Sequence, residues 1–152
     1  MWGWGIMNST AVKEAAAVGF PMDHFIGVWY SGAEPDVTPA GAAAKGYKAT
    51  TFHGVGADYG AIKDILKYVY AKGGGHTTKE KVGEVLYDRG LINAMYDLEA
   101  IRTAQDKFGK KPLTGEQVQW GYEHLSIVPS RITMTGTRAG EEGSIGTTIK
   151  VW

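Results

Sequence analysis

Apolar positions recur at three- and four-residue steps over residues 81–109, KVGEVLYDRGLINAMYDLEAIRTAQDKFG, the longest periodic run in the chain. That spacing stacks side chains on one helix stripe and predicts a long helix buried along one side. Gly109 sits where a helix ends, with Lys107, Lys110 and Lys111 where cations suit a helix C-terminus. Gly90 lies in mid-helix at a cost of roughly 1 kcal/mol relative to Ala, which predicts a packing reason or a close backbone approach there. Upstream, residues 1–6 read as a short buried strand. Asn8, Ser9 and Thr10 offer caps to a helix over AVKEAAAV, stopped by Gly19 and Pro21. Residues 24–30, HFIGVWY, read as a second strand, and the two-proline segment SGAEPDVTPAG as a loop leading into alanine-rich turns. Residues 47–53, YKATTFH, alternate like a third strand. Asp58 is placed to cap a helix whose stripe is Ile62, Ile65, Leu66, Val69 and Tyr70. Thr114 and Gln117 have capping-box spacing ahead of another helix, with Val118, Tyr122 and Leu125 on its apolar face. Periodicity then lapses until residues 147–152, a candidate final strand.

Strand, helix, strand, short helix, strand is the rhythm of parallel strands joined by crossover helices, an α/β layer architecture. Three helices then follow with almost no strand between them. A compact α/β domain alternates to its end, so this order predicts that strand partners of the second half lie outside the chain. At 152 residues and 43% apolar content there is enough chain for a real core. The 16 cationic and 16 anionic side chains cancel, and without a basic stripe the sequence gives no footprint for nucleic acid. No apolar run reaches the roughly 18 residues that span a bilayer. The opening MWGWGIMN has neither the charged nor the apolar region of a signal peptide.

Several segments together, WGWGIMNSTAVKEAAAVGFP, FIGVWYSGAEPDV, PAGAAAKGYKATTF and VGEVLYDRGLINAMYDLEAIRTAQDKFGKKPLTGEQVQWGYEHL, resemble the C-terminal part of a periplasmic substrate-binding protein. The subfamily is that of the branched-chain amino acid (Leu/Ile/Val) ABC transporters. The resemblance runs over residues 1–128 and implies part of the type I periplasmic-binding-protein fold, two α/β lobes closing on a ligand. Residues 1–55 would belong to the second lobe, residues 56–80 would form a helix and hinge crossing, and residues 81–128 would return to the first lobe. Residues 129–152 would form an irregular tail with a possible final strand.

The resemblance implies no catalysis. It implies capture of an amino acid or a related amide or organic acid, and its delivery to the membrane permease of an ABC transporter. It also implies a periplasmic or lipid-anchored extracytoplasmic location, and no metal or cofactor. Such a cleft needs aromatic walls and a few fixed polar groups, placed at the carboxyl ends of strands. Trp4, Trp29, Tyr30, Glu34 and Tyr87 are the candidate ligand-binding residues. In the family an acid after the corresponding strand meets the ligand ammonium, a role that falls to Glu34 in this sequence, and an aromatic at the position of Tyr87 lines the cleft. If Trp29 takes the place of the acid, the solute has no amino counter-ion and is an amide, an aromatic acid or another compound.

Plainer readings stand beside these. Strand packing accounts equally for Trp2 and Trp4, Glu34 reads also as a solvated loop carboxylate, and adjacent Asp88 and Arg89 read as surface ion-pair members. His24, His53, His76 and His124 lack metal-ligand spacing, and the glycines at 73–75 lack the Lys-Ser or Lys-Thr of a phosphate loop. That gap disfavours a flavodoxin-like enzyme. A ligand-sensing regulatory domain of the same fold, in a receptor or transcription factor, is the alternative function. Exposed strand edges and an uncovered helix face predict self-association of the chain in isolation.

Overall fold

The computed structural model describes residues 1–125 and the strand Thr148–Val151. Its helices are α1 (Ile6–Ala17), α2 (Glu34–Val37), α3 (Gly60–Tyr68), α4 (Val85–Phe108) and α5 (Gly115–Glu123). The strands are β1 (Ile26–Gly27), β2 (Lys48–Thr51) and β3 (Thr148–Val151). The fold is α/β, but its described sheet is mixed. β1 pairs with β2 in parallel, Ile26 opposite Lys48, whereas β3 runs antiparallel to β2, Lys48 opposite Val151. The parallel sheet expected from the sequence is thus corrected by its final strand. The remainder of the expected tail lies outside the described residues.

The start of the chain departs from expectation for a local reason. Only Met1 pairs like a strand residue: its amino group donates to the Ile26 carbonyl, and the Met1 carbonyl accepts from Val28 N–H at 3.2 Å. Gly5, at φ 54°, turns the chain into α1 at Ile6, several residues before the expected caps. The hydroxyls of Ser9 and Thr10 bond back to the Ile6 carbonyl at 3.1 and 3.0 Å, so they sit inside the helix and do not cap it. Its other end follows the sequence. Gly19 has φ 76°, its N–H donates to Ala16 O, and Phe20 N–H reaches Ala15 O at 2.9 Å, a Schellman closure.

The strand expected over residues 24–30 contracts to Ile26–Gly27, because Met22–His24 and Trp29–Ser31 are single 3₁₀ turns. The expected two-proline loop is helical, as α2 and a 3₁₀ segment Thr38–Ala44. Both prolines fall in first-turn positions, where a missing N–H breaks no intrahelical bond. α1, α2 and that segment cover one sheet face, and Val12, Val37, Ala40, Ala44, Tyr47 and Ala49 form the core. Tyr47 is fully buried, and its hydroxyl donates to the Ser31 carbonyl at 2.8 Å. Burial, with the charge of Asp36 second, pushes that phenol up to about 12, so it stays a donor at any ordinary pH.

α4 begins at Val85 and ends at Phe108, closed by Gly109 at φ 92°. Among the described residues Gly90 has no packing role, because a Cβ there would meet nothing within 4 Å. The close approach is at Gly121 of α5, where a Cβ would stand 2.2 Å from the Ala100 carbonyl oxygen of α4. Tyr122, expected on the buried face of α5, is exposed instead. The capping box at α5 is complete: Gln117 N–H donates to Thr114 Oγ1 at 3.3 Å and Thr114 N–H to Gln117 Oε1 at 3.0 Å. Thr114→Ala is expected to lower the stability of α5 by about 1 kcal/mol, read as faster amide exchange through the helix. Unchanged exchange at Gln117 would count against that role for the box.

Candidate functional site

The carboxyl ends of β1 and β2 and the amino end of α4 converge. After β1 the chain makes the turn Trp29–Ser31, and after β2 it continues through Phe52, His53 and Gly54. The opening residues are tied to the first turn by Ser31 Oγ, which donates to Gly3 O at 3.0 Å, and by Asn8 Nδ2, which donates to Tyr30 O at 3.3 Å. These bonds set the rings side by side. Tyr30 contacts Trp4 at 5.4 Å, Trp2 at 6.4 Å and Trp29 at 5.0 Å between centroids. Trp29 continues the row to Phe52 at 5.4 Å, edge to face. Trp2 and Trp4 are 81% and 68% exposed, so the buried-strand role considered for them does not hold.

Arg89 reaches into this row from α4. Its guanidinium carbon lies 4.9 Å from the ring centres of both Trp29 and Phe52, within cation–π range. Nε donates to His53 Nε2 at 3.3 Å and Nη2 to the Trp29 carbonyl at 3.3 Å. His53 Nδ1 lies 2.7 Å from Gly54 O, which assigns the proton to Nδ1 and leaves Nε2 as acceptor. Burial, and after it the Arg89 charge, lower the imidazole pKa, against an opposing bond to Gly54, so the neutral ring is favoured.

Asp88 and Arg89 are therefore not members of a surface ion pair. Successive helix residues point about 100° apart, and here one points at the rings and the other inward. Asp88 is fully buried and accepts from Gly56 N–H at 3.2 Å through Oδ2, while Oδ1 has no hydrogen bond among the described residues. Burial, opposed by the Gly56 bond and aided by the charge of Glu34, raises the carboxyl to about 7. Gly83, φ 101°, lets segments 54–57 and 82–84 cross here, since a Cβ on it would lie 2.8 Å from Ala57 N.

The five candidate residues divide. Trp4, Trp29 and Tyr30 share the ring row. Glu34 lies beside the start of α4, its Oε2 accepting from Val85 N–H at 3.0 Å, which satisfies one of the donors a helix N-terminus leaves open. Tyr87 hydrogen-bonds Tyr70, and burial first, then Tyr70, raises its pKa. Sequence reasoning misses Phe52, His53, Asp88 and Arg89 as site residues. The end-of-strand position of Phe52 and His53 is a usable signal, but nothing in the one-dimensional pattern marks Arg89 for the rings. Among the described residues no group of three metal-ligating side chains occurs.

No protein-family model and no curated protein matches the chain. Two solved structures do. One is described as an ABC transporter permease from the Pseudomonas fluorescens group, with TM-score 0.84 and 39% identity over 98% of this chain and 39% of that one. The other is a branched chain amino acid ABC transporter from Thermus thermophilus with bound valine, with TM-score 0.66 and 22% identity over 97% of this chain and 40% of that one. The chain thus spans about two-fifths of the length of either. It belongs to the same fold family as these ABC transporter proteins, as the resemblance in its sequence implied.

Proposed function

We propose that the chain is part of a two-lobed type I periplasmic binding fold that captures a small solute, an amino acid or a related amide or organic acid, for an ABC transporter permease. Residues 1–55 serve as part of the second lobe, 56–80 as helix and hinge crossing, and 81–128 as helices of the first lobe. The role is non-catalytic, and its place is outside the cytoplasmic membrane. The observation that carries this reading is the row of Trp4, Tyr30, Trp29 and Phe52 with Arg89 against it, at the strand ends where open α/β sheets take ligands. Trp4, Trp29 and Tyr30 supply apolar wall, Glu34 lies at the start of α4, and Tyr87, in the first turn of that helix, pairs with Tyr70. The valine held by the Thermus thermophilus protein supports a solute of this size. No helix of the described residues is long and apolar enough to cross a membrane.

Exposed apolar side chains agree with a missing second wall. Ile6 is 82% exposed, as Trp2 and Trp4 also are in large part, and Leu86 and Leu98 are exposed on α4. A calorimetric screen of the full-length protein against amino acids, amides and small organic acids is expected to give saturable binding. Trp29→Ala is expected to weaken it about tenfold or more, because a central Trp of a binding wall is the kind of residue whose truncation costs about 2 kcal/mol. Absence of binding across the screen would sink the reading.

A further inference from the structure

Two charged groups stand where the solute's polar end would lie, and their commitments differ. Glu34 is already engaged: one carboxylate oxygen holds Val85 N–H at the first turn of α4. Using it for a ligand ammonium would weaken a bond that ties α2 to α4. Arg89 is held but not neutralised. Two of its nitrogens are anchored, on His53 and on the Trp29 carbonyl, and the adjoining Trp29 and Phe52 rings both lie against it. Nη1 makes no hydrogen bond among the described residues, and no carboxylate among them forms an ion pair with this guanidinium. Adjacent Asp88 faces away to Gly56. An anchored guanidinium with free donors is the group that recognises a planar anion best, because its fork matches a carboxylate and its ordering cost is already met. The two rings against it, Trp29 and Phe52, are 41% and 36% exposed, apolar surface next to a fixed positive charge.

We infer that the solute is an organic acid without need of an amino group, a carboxylate on an apolar or aromatic body, and that Arg89 grips the carboxylate while the ring row takes the body. This rests on the solute-binding reading and narrows it. Among the outcomes left open by the sequence it selects the acid over the amino acid and the amide.

The test is calorimetry on the full-length protein with two isosteric series, phenylacetate, phenylacetamide and phenethylamine, and 4-methylpentanoate with its amide and amine, beside leucine and valine. In at least one series the carboxylate is expected to bind about tenfold or more tighter than the amide, as a charge-assisted bond in place of a neutral one requires. The amine is expected not to bind. Arg89→Gln is expected to erase the acid-over-amide preference, and Arg89→Lys to keep part of it. Equal binding of acid and amide, tighter binding of the amine, a preference that survives Arg89→Gln, or binding of leucine or valine with neither acid would overturn the inference and leave the solute-binding reading standing. Binding of no compound at all would sink both. Should Arg89→Gln fail to fold, the wild-type acid-to-amide ratio and Arg89→Lys still decide.

Discussion

Gly27→Ala is expected to destabilise the protein by about 3 kcal/mol, the sum of moderate overpacking and one lost buried hydrogen bond. A Cβ at this β1 position would stand 1.9 Å from the Tyr47 hydroxyl oxygen and 2.9 Å from Ser31 Cβ. Neither neighbour can give way cheaply. Tyr47 is fully buried against Val12, Val37 and Ala49, and its hydroxyl is fixed on the Ser31 carbonyl. Moving the ring would orphan that carbonyl inside the core. The turn that carries Trp29 and Tyr30 would shift with Ser31, so the ring row should loosen as well. Denaturant unfolding of Gly27→Ala, Tyr47→Phe and the double variant checks the mechanism. Removing the hydroxyl opens part of the space, so the double variant should lose less than the two single losses added together. Strict additivity would show that Tyr47 is not what forbids the side chain.

The contrast between glycines shows where sequence reasoning reaches and where it stops. Gly19 and Gly109 end helices, a role set by local backbone conformation, and the apolar period announces both. Gly27 and Gly121 are needed for contacts made across the fold, with Tyr47 and with the Ala100 carbonyl, and no local pattern encodes them. Gly90 shows the reverse error, a mid-helix glycine assigned a packing role that open space around it denies. The same division applies to the site. Trp4, Trp29 and Tyr30 could be named because aromatic residues cluster near strand ends in sequence. Arg89 meets Trp29 across 60 residues of chain, a meeting that depends on where α4 is docked. The short strands are a further case. Residues 24–30 carry the right composition for seven extended residues, but the 3₁₀ turn at Trp29–Ser31 ends the strand after Gly27. Composition favours a strand without fixing its length.

Asp88→Asn is expected to change how stability depends on pH by about 2–3 kcal/mol between pH 5 and pH 8. The folded carboxyl titrates at about 7, above the ordinary 3.8, because it is buried with Oδ1 lacking a hydrogen bond and Glu34 adds negative charge nearby. The folded protein therefore holds a proton that the unfolded chain has already released. Its contribution is fully present below about pH 4 and is lost as pH rises through about 7. His53 acts with the opposite sign: its lowered pKa gives a contribution complete above the ordinary imidazole value of about 6.5 and lost as pH falls below it. The wild-type protein should accordingly lose stability at this aspartate on going from pH 5 to pH 8, while the asparagine variant keeps only the rising limb from His53. An unsatisfied amide at position 88 adds the same cost at both pH values, so it cancels from the difference. Parallel stability–pH curves for the two proteins would rule out a protonated Asp88. A neutral Asp88 also has a consequence for the docking of α4: the carboxyl group can lie buried near Glu34 without two negative charges crowding the helix start. Losing the proton would strain the segment that carries Arg89 to the rings. The variant should therefore hold that segment in place at pH 8, measured as slower amide exchange at position 88 and at Arg89 than the wild type shows at the same pH, after correction for intrinsic rates.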